Sequence, residues 1–241
     1  MRGIILSGGL ATRLRPCTKV TSKQLLPVYN RPMIYYPLNT LIKAGIKEIL
    51  IIVSPERAGD YLNLLGSGKE FGVKFTYEIQ DKPGGLPEAF IIGENFIDQE
   101  NVTMILGDNI FEDDFSDEIN SFNSGAKVFA KKVPDPERFG VVKFDENNKV
   151  ITMVEKPKDW ISDYASTGLY CFDHRVVEVS KNLKPSERGE LEIVDLQNWF
   201  LEKGELEVAK VKGEWIDAGT FDSLLEAQNL AKNRLQDSLV I

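Results

Sequence analysis

Residues 8 to 24 of this 241-residue chain gather groups suited to holding a polyanion. Gly8 and Gly9 follow a short apolar run, and Arg13, Arg15, Lys19 and Lys23 come after them with no acidic residue in between. Glycine lets backbone N–H groups approach phosphate oxygens because no Cβ blocks the way. Arg13 offers a planar fork matched to a phosphate, and Lys23 a point charge that can follow charge developing at phosphorus. The first 47 residues hold eight of the chain's 29 Lys and Arg and none of its 37 Asp and Glu. In a chain of formal net charge −8, such a loop points to a compact polyanion and not to an extended nucleic-acid surface.

A triphosphate carries more negative charge than these cations offset, so a divalent ion, Mg²⁺, is expected beside them. Asp108 comes just after the apolar run VTMIL and is the first candidate ligand, and Asp217 in EWIDAG is the second. Mg²⁺ takes one or two carboxylates and fills its remaining positions with phosphate oxygens and water. Taken singly, either aspartate is equally well explained as a turn or helix-capping residue. Glu155 and Lys156 stand at a strand end before Pro157, where an exposed ion pair accounts for them without a ligand.

Other chemistries fail on spacing. SGGLATRL lacks G-x-G-x-x-G, and GSGKE at 66 to 70 has Glu70 where a P-loop needs Ser or Thr. His174 is the sole histidine and adjoins Asp173 at a helix start, which reads as a surface position. A histidine-assisted serine or cysteine hydrolase therefore has no evident base. Cys17 and Cys171 form no disulfide framework and no metal-ligand spacing, so reduced thiols and a cytoplasmic location are expected. No run approaches the roughly 20 apolar residues of a membrane span, and no membrane association is expected.

These residues must be positioned by the elements around them. GIILS at 3 to 7, EILIIV at 48 to 53, KFTYEIQ at 74 to 80 and VTMIL at 102 to 106 read as strands. Helices are expected at 32 to 44, 56 to 65 and 86 to 96, with Pro32 in the first turn and Gly45 as a stop. Strands alternating with helices indicate parallel βαβ units and a doubly wound α/β sheet. After a helix at 114 to 123 the pattern becomes more antiparallel, with strands AKVFAKKV, FGVVKFD, KVITMVE and YASTGLYCF and a hairpin turn at 147 and 148. Helices return at 174 to 182, 192 to 203 and 220 to 234 around the strand ELEVAKV. No linker cuts the chain, so residues 1–241 are expected to form a single domain, a parallel half at about 1–110 followed by a more antiparallel half at about 111–241.

Together the segments GGLATRLRP, SKQLLPVYNRPMIYYPL, GDN, DPERFGVV, EKP, TGLYCFD, RGELEIVD and WIDAGTFDSLLEA run in one order along almost the whole chain. In this the sequence resembles the sugar-1-phosphate nucleotidylyltransferase family, and within it the glucose-1-phosphate thymidylyltransferases. The resemblance implies a Rossmann-like nucleotide-diphospho-sugar transferase fold, a mixed but mostly parallel sheet flanked by helices. It implies a reaction of dTTP with glucose 1-phosphate to give dTDP-glucose and pyrophosphate, with Mg²⁺ as cofactor. By motif, Leu6, Gly8, Gly9, Thr12, Arg13, Gln24 and Asp108 would surround the nucleotide, and Gln80 and Gly85 would meet the thymine edge. Asn109, Gly140, Glu155, Lys156 and Thr167 would line the sugar phosphate. Arg13, Lys23 and Lys156 would be catalytic, and Asp108 and Asp217 would bind the metal.

The resemblance also implies a homo-oligomer, a dimer or tetramer, in the shorter form that lacks a C-terminal helical extension. Phe139 stands where tyrosine is common, removing a hydroxyl near the sugar. Two alternatives remain open at this point: use of UTP or another hexose 1-phosphate, and a regulatory subunit that binds a sugar nucleotide without turning it over. A sugar phosphate is already an anionic nucleophile, so attack on the α-phosphorus needs positioning and charge stabilisation more than a base. Replacing Arg13 or Lys23 by alanine is expected to cost on the order of a hundredfold or more in turnover, and near-wild-type rates for both variants would overturn the assignment of this loop.

Overall fold

A computed structural model of the chain describes residues 1–147 and 149–235. Its strands are β1 (Arg2–Ser7), β2 (Pro27–Val28), β3 (Arg31–Pro32), β4 (Glu48–Val53), β5 (Lys74–Ile79), β6 (Val102–Leu106) and β7 (Asn109–Phe111). They continue with β8 (Ala126–Lys132), β9 (Gly140–Phe144), β10 (Val150–Glu155), β11 (Tyr164–Phe172), β12 (Leu206–Lys210) and β13 (Trp215–Asp217). The α-helices are α1 (Tyr35–Lys43), α2 (Ala58–Leu65), α3 (Glu88–Ile92), α4 (Glu94–Ile97), α5 (Ser116–Asn120), α6 (Val176–Asn182), α7 (Ile193–Glu202) and α8 (Phe221–Leu230).

The main sheet runs β10-β9-β11-β6-β1-β4-β5, and β8 adds itself to β11 and carries β12. β1 pairs in parallel with both β4 and β6, and β4 with β5. The apolar runs at these positions are continuous because both faces are covered. Ile4, Leu6, Leu50 and Ile52 pack toward Phe90, Phe172 and Phe200 on one side. Ile5, Ile49, Ile51 and Val53 pack toward Leu38, Leu41 and Tyr61 on the other. β11 is antiparallel to β6, β8 and β9, and its register with β8 shifts between Ser166 and Tyr170. Such interruptions free backbone groups from the ladder and recur beside functional sites; here Gly168 N–H, released from β8, donates to the Asn109 side chain (2.9 Å).

Several elements depart from the sequence expectation. Pro32 does not open a helix; it pairs with Pro27 in the β2–β3 ribbon, and α1 starts at Tyr35. The helix expected at 86 to 96 is broken into α3 and α4 at Gly93, where a Cβ would press on the Ala89 carbonyl, Leu50 and Ile4. The helix expected at 114 to 123 is the single turn α5, entered through Asp114, whose carboxylate accepts from Ser116 N (2.9 Å). The expected turn at 147 and 148 falls partly on residue 148, outside the described residues.

The element with no sequence precedent is the short antiparallel ribbon of β7 and β13, which sets Asp217 opposite Asn109. A third apolar cluster holds it: Ile110 and Ala218 pack with Val28, Met33, Tyr36 and Leu230. α8 begins right after the ribbon with a reciprocal cap, Ser223 N donating to Thr220 Oγ1 (3.2 Å) and Thr220 N to Ser223 Oγ (3.0 Å). Among the described residues no helix is long and apolar enough to cross a membrane.

Candidate active site

The carboxyl ends of β1, β4, β5 and β6 open onto one side of the sheet, the usual place for a ligand in an open α/β fold. A cleft of about 490 Å³ lies there, within the range of small-ligand sites. One wall is cationic and acidic at once, carrying Arg13, Lys23, Asp108 and Asp217, with Leu6 and Gly9 at its edge. Gly140, Glu155, Lys156 and Thr167 line the same cleft. Gln24, Gln80, Gly85 and Asn109 also line the cleft.

The loop after β1 is braced before any ligand arrives. Thr18 Oγ1 donates to the Ala11 carbonyl (2.8 Å), and Arg57 reaches back to donate to the carbonyls of Lys19 (2.9 Å) and Val20 (3.0 Å). Ser22 Oγ and Tyr61 O–H both donate to Gln24 Oε1 (2.7 and 3.1 Å). Lys23 follows Ser22 and pairs directly with Asp108.

Asp108 and Asp217 are brought together by main chain. Asp217 ends β13 opposite Asn109, and Ala218 N–H donates to the Asp108 carbonyl (3.0 Å). Burial alone would raise the Asp108 pKa, but Lys23 and hydrogen bonds from Lys23 and Asn109 outweigh it and hold the carboxyl below the usual range. Asp217 has no such partner at contact distance. Burial, and then the Asp108 charge, push its pKa up to about 6, with Lys23 and Arg13 only partly compensating. Arg13 reaches this point across Gly219, where a Cβ would lie 2.9 Å from its Nη2 and 3.2 Å from Asp217 Oδ1.

Two adjacent carboxylates short of positive charge, facing an open cleft, suit a hard divalent cation that draws its other ligands from phosphate and water. No set of three or more His, Cys, Asp or Glu ligands occurs among the described residues, so a closed all-protein metal site is absent there.

Lys156 has φ 41°, a left-handed conformation that costs a lysine on the order of 1–3 kcal/mol. Its N–H donates to the Phe139 carbonyl (3.0 Å) and its ammonium lies 3.2 Å from Glu155. Gly140 pairs with Glu155 across β9 and β10, and a Cβ there would lie 2.8 Å from Val194 Cγ2. Thr167 is fully buried and its Oγ1 has no hydrogen-bond partner among the described residues. A buried hydroxyl left unpaired beside a cleft is one a ligand can satisfy.

Not every expected residue sits as its motif suggested. Gly8 and Thr12 do not line the cleft. Gly8 is bare because Gln80 lies against it: a Cβ would come within 2.1 Å of Gln80 Oε1. Asn109 lines the cleft with an amide already engaged, its oxygen accepting from Gly168 N (2.9 Å) and Trp215 Nε1 (2.6 Å) and its nitrogen donating to Asp108 (3.1 Å). Arg15 and Lys19 are exposed outside it.

The cleft also contains Arg138, Arg188, Glu192 and Trp215, which sequence reasoning did not single out. The signal for the two arginines lay in DPERFGVV and RGELEIVD. Arg188 pairs with Glu192 (2.7 Å) and comes within 3.4 Å of Glu155. Phe139 packs against Trp215 at 5.1 Å between ring centroids.

The nucleotidyl transferase family model matches residues 2–234. The chain belongs to this family. It is 51% identical over 239 residues to the glucose-1-phosphate thymidylyltransferase of Neisseria meningitidis, covering 96% of this chain and 83% of that one. A solved Bacillus anthracis structure assigned as a glucose-1-phosphate thymidylyltransferase, in complex with sucrose, superposes with a TM-score of 0.92 at 48% identity, covering 97% of this chain and 96% of the other. UDP-glucose pyrophosphorylase in complex with UDP-glucose shares the fold at a TM-score of 0.84 and 24% identity, over 96% of this chain and 98% of that one. The nucleotidyl transferase fold is thus a mixed, mostly parallel sheet flanked by helices, and the chain is an enzyme of that family.

The raised pKa of Asp217 fixes the sign of a stability effect in this nucleotidyl transferase. As pH rises from about 4 toward 6, the unfolded chain releases the Asp217 proton before the folded one does, so folding stability falls through that window. In metal-free protein, Asp217→Asn is expected to add on the order of 3 kcal/mol above pH 6 and nothing below pH 4, read from urea unfolding at each pH. Equal effects at both ends would contradict the raised pKa of buried Asp217.

Proposed function

We propose that the chain transfers the thymidylyl group of dTTP to α-D-glucose 1-phosphate, giving dTDP-glucose and pyrophosphate. The observation that carries this is the β7–β13 pairing, which puts Asp217 beside Asp108, near Lys23 and Arg13, in one cleft with Glu155, Lys156 and Thr167. The relatives' shared name supplies the substrates. The reading divides the chain into a nucleotide-binding half, about 1–110, and a sugar-phosphate half, about 111–241.

Arg13 and Lys23 would hold the triphosphate and offset charge on the departing pyrophosphate. Lys156 would draw the sugar phosphate toward the α-phosphorus, its left-handed backbone aiming the ammonium at the cleft, while Glu155 accepts from sugar hydroxyls. The phosphate oxygen then attacks in line, and pyrophosphate leaves opposite it. Asp108 and Asp217 would hold Mg²⁺, which when bound neutralises phosphate oxygens and polarises the phosphorus. A homo-oligomer is part of the same proposal, and light scattering tests it.

Purified protein with dTTP, glucose 1-phosphate and Mg²⁺ is expected to release pyrophosphate, to stop when the metal is chelated, and to work less well with UTP. Binding of dTTP and sugar phosphate without release would favour a regulatory subunit. Thr167→Val removes a hydroxyl that the fold does not use, so thermal stability is expected to hold or rise while kcat/KM for glucose 1-phosphate drops roughly tenfold. Unchanged kcat/KM would take Thr167 out of the substrate site.

A further inference from the structure

Gln80 follows β5, lines the cleft and is 4% exposed. A glutamine amide can read a base edge in either of two orientations, offering a donor or an acceptor at the same point. Here the orientation is set by Glu88, the first residue of α3. Glu88 Oε2 accepts from Gln80 Nε2 (2.6 Å) and from Gly84 N–H (2.8 Å).

The backbone N–H of Gly84 can only donate, so the oxygen facing it must accept, and the Gln80 atom sharing that oxygen must be the NH₂ group. Both contacts depend on missing side chains. A Cβ on Gly84 would lie 2.7 Å from Glu88 Oε2, and one on Gly8 would lie 2.1 Å from Gln80 Oε1. With its nitrogen held by Glu88, Gln80 leaves its oxygen against Gly8, away from Glu88, on a side chain that lines the cleft.

We infer that Glu88 is a specificity-positioning residue: by locking the Gln80 amide with its oxygen toward the base, it selects pyrimidines that present an N3–H donor and rejects cytosine, whose N3 is an acceptor. This rests on the reading that the base lies against Gln80. A cytosine N3 would face the Gln80 oxygen lone pair to lone pair. A site built to hydrogen-bond one pattern discriminates strongly against the pattern that leaves its groups unpaired. Freed from Glu88, the amide can turn over and accommodate either base.

The test compares kcat/KM for dTTP and dCTP, with glucose 1-phosphate and Mg²⁺, in Glu88→Met, Glu88→Gln, Gln80→Ala and the Glu88→Met/Gln80→Ala double variant. Glu88→Met keeps the side-chain length without an acceptor. It is expected to reduce the dTTP preference roughly tenfold or more, through KM, with kcat for dTTP within a few-fold of wild type. Glu88→Gln, whose amide oxygen can still serve Gly84 and Gln80, is expected to restore most of the preference. In the Gln80→Ala background, Glu88→Met should change the preference no further. An unchanged preference in Glu88→Met, or equal losses with and without Gln80, would overturn the inference, the second pointing to a structural role for Glu88. Retention of the full preference in Gln80→Ala would instead remove the base from Gln80, a failure of the underlying site reading and distinguishable from the first.

Discussion

Two like charges held side by side govern this site. Asp108 and Asp217 would separate if their side chains alone decided the matter, but their positions are fixed by backbone. The Ala218 N–H bond to the Asp108 carbonyl and the facing of Asp217 and Asn109 tie both aspartates to one ribbon. The packing of Ile110 and Ala218 against Val28, Met33 and Leu230 keeps that ribbon in place. Apolar burial thus offsets an electrostatic penalty a few ångströms away. Lys23 relieves one carboxylate only, and the shortage of positive charge that remains is the cleft's affinity for a cation and for the polyphosphate that accompanies one.

The fold was legible where elements are long and buried on both faces. GIILS, EILIIV and VTMIL became adjacent parallel strands because a continuous apolar run has to be covered above and below. The misses follow from shorter-range conflicts. Pro32 suits a helix start, yet its ribbon with Pro27 takes precedence. Gly93 breaks a helical pattern because the sheet needs close approach there. β7 and β13, three residues each, carry no period that could announce them, and their partner lies more than a hundred residues away.

The site was legible by residue type more than by geometry. Arg13, Lys23, Asp108 and Asp217 could be nominated from charge and motif, but nothing local to EWIDAG says that it pairs with GDN. Gly8 was read as making room for phosphate, and its missing side chain also accommodates Gln80. Asn109 was read as a sugar contact, and the structure spends its amide on Asp108, Gly168 and Trp215. Such second roles depend on which distant segment arrives alongside, and composition holds no record of that.

The β7–β13 ribbon also sets an order in time. A ribosome completes the cationic loop, the four parallel strands β1, β4, β5 and β6 and Asp108 well before it has added Trp215 to Asp217. Until those last three residues emerge and zip against Asn109 to Phe111, the nascent protein carries Lys23 paired with a lone aspartate and no second carboxylate. The paired carboxylates therefore form late in synthesis, with the final ribbon and the helix that follows it.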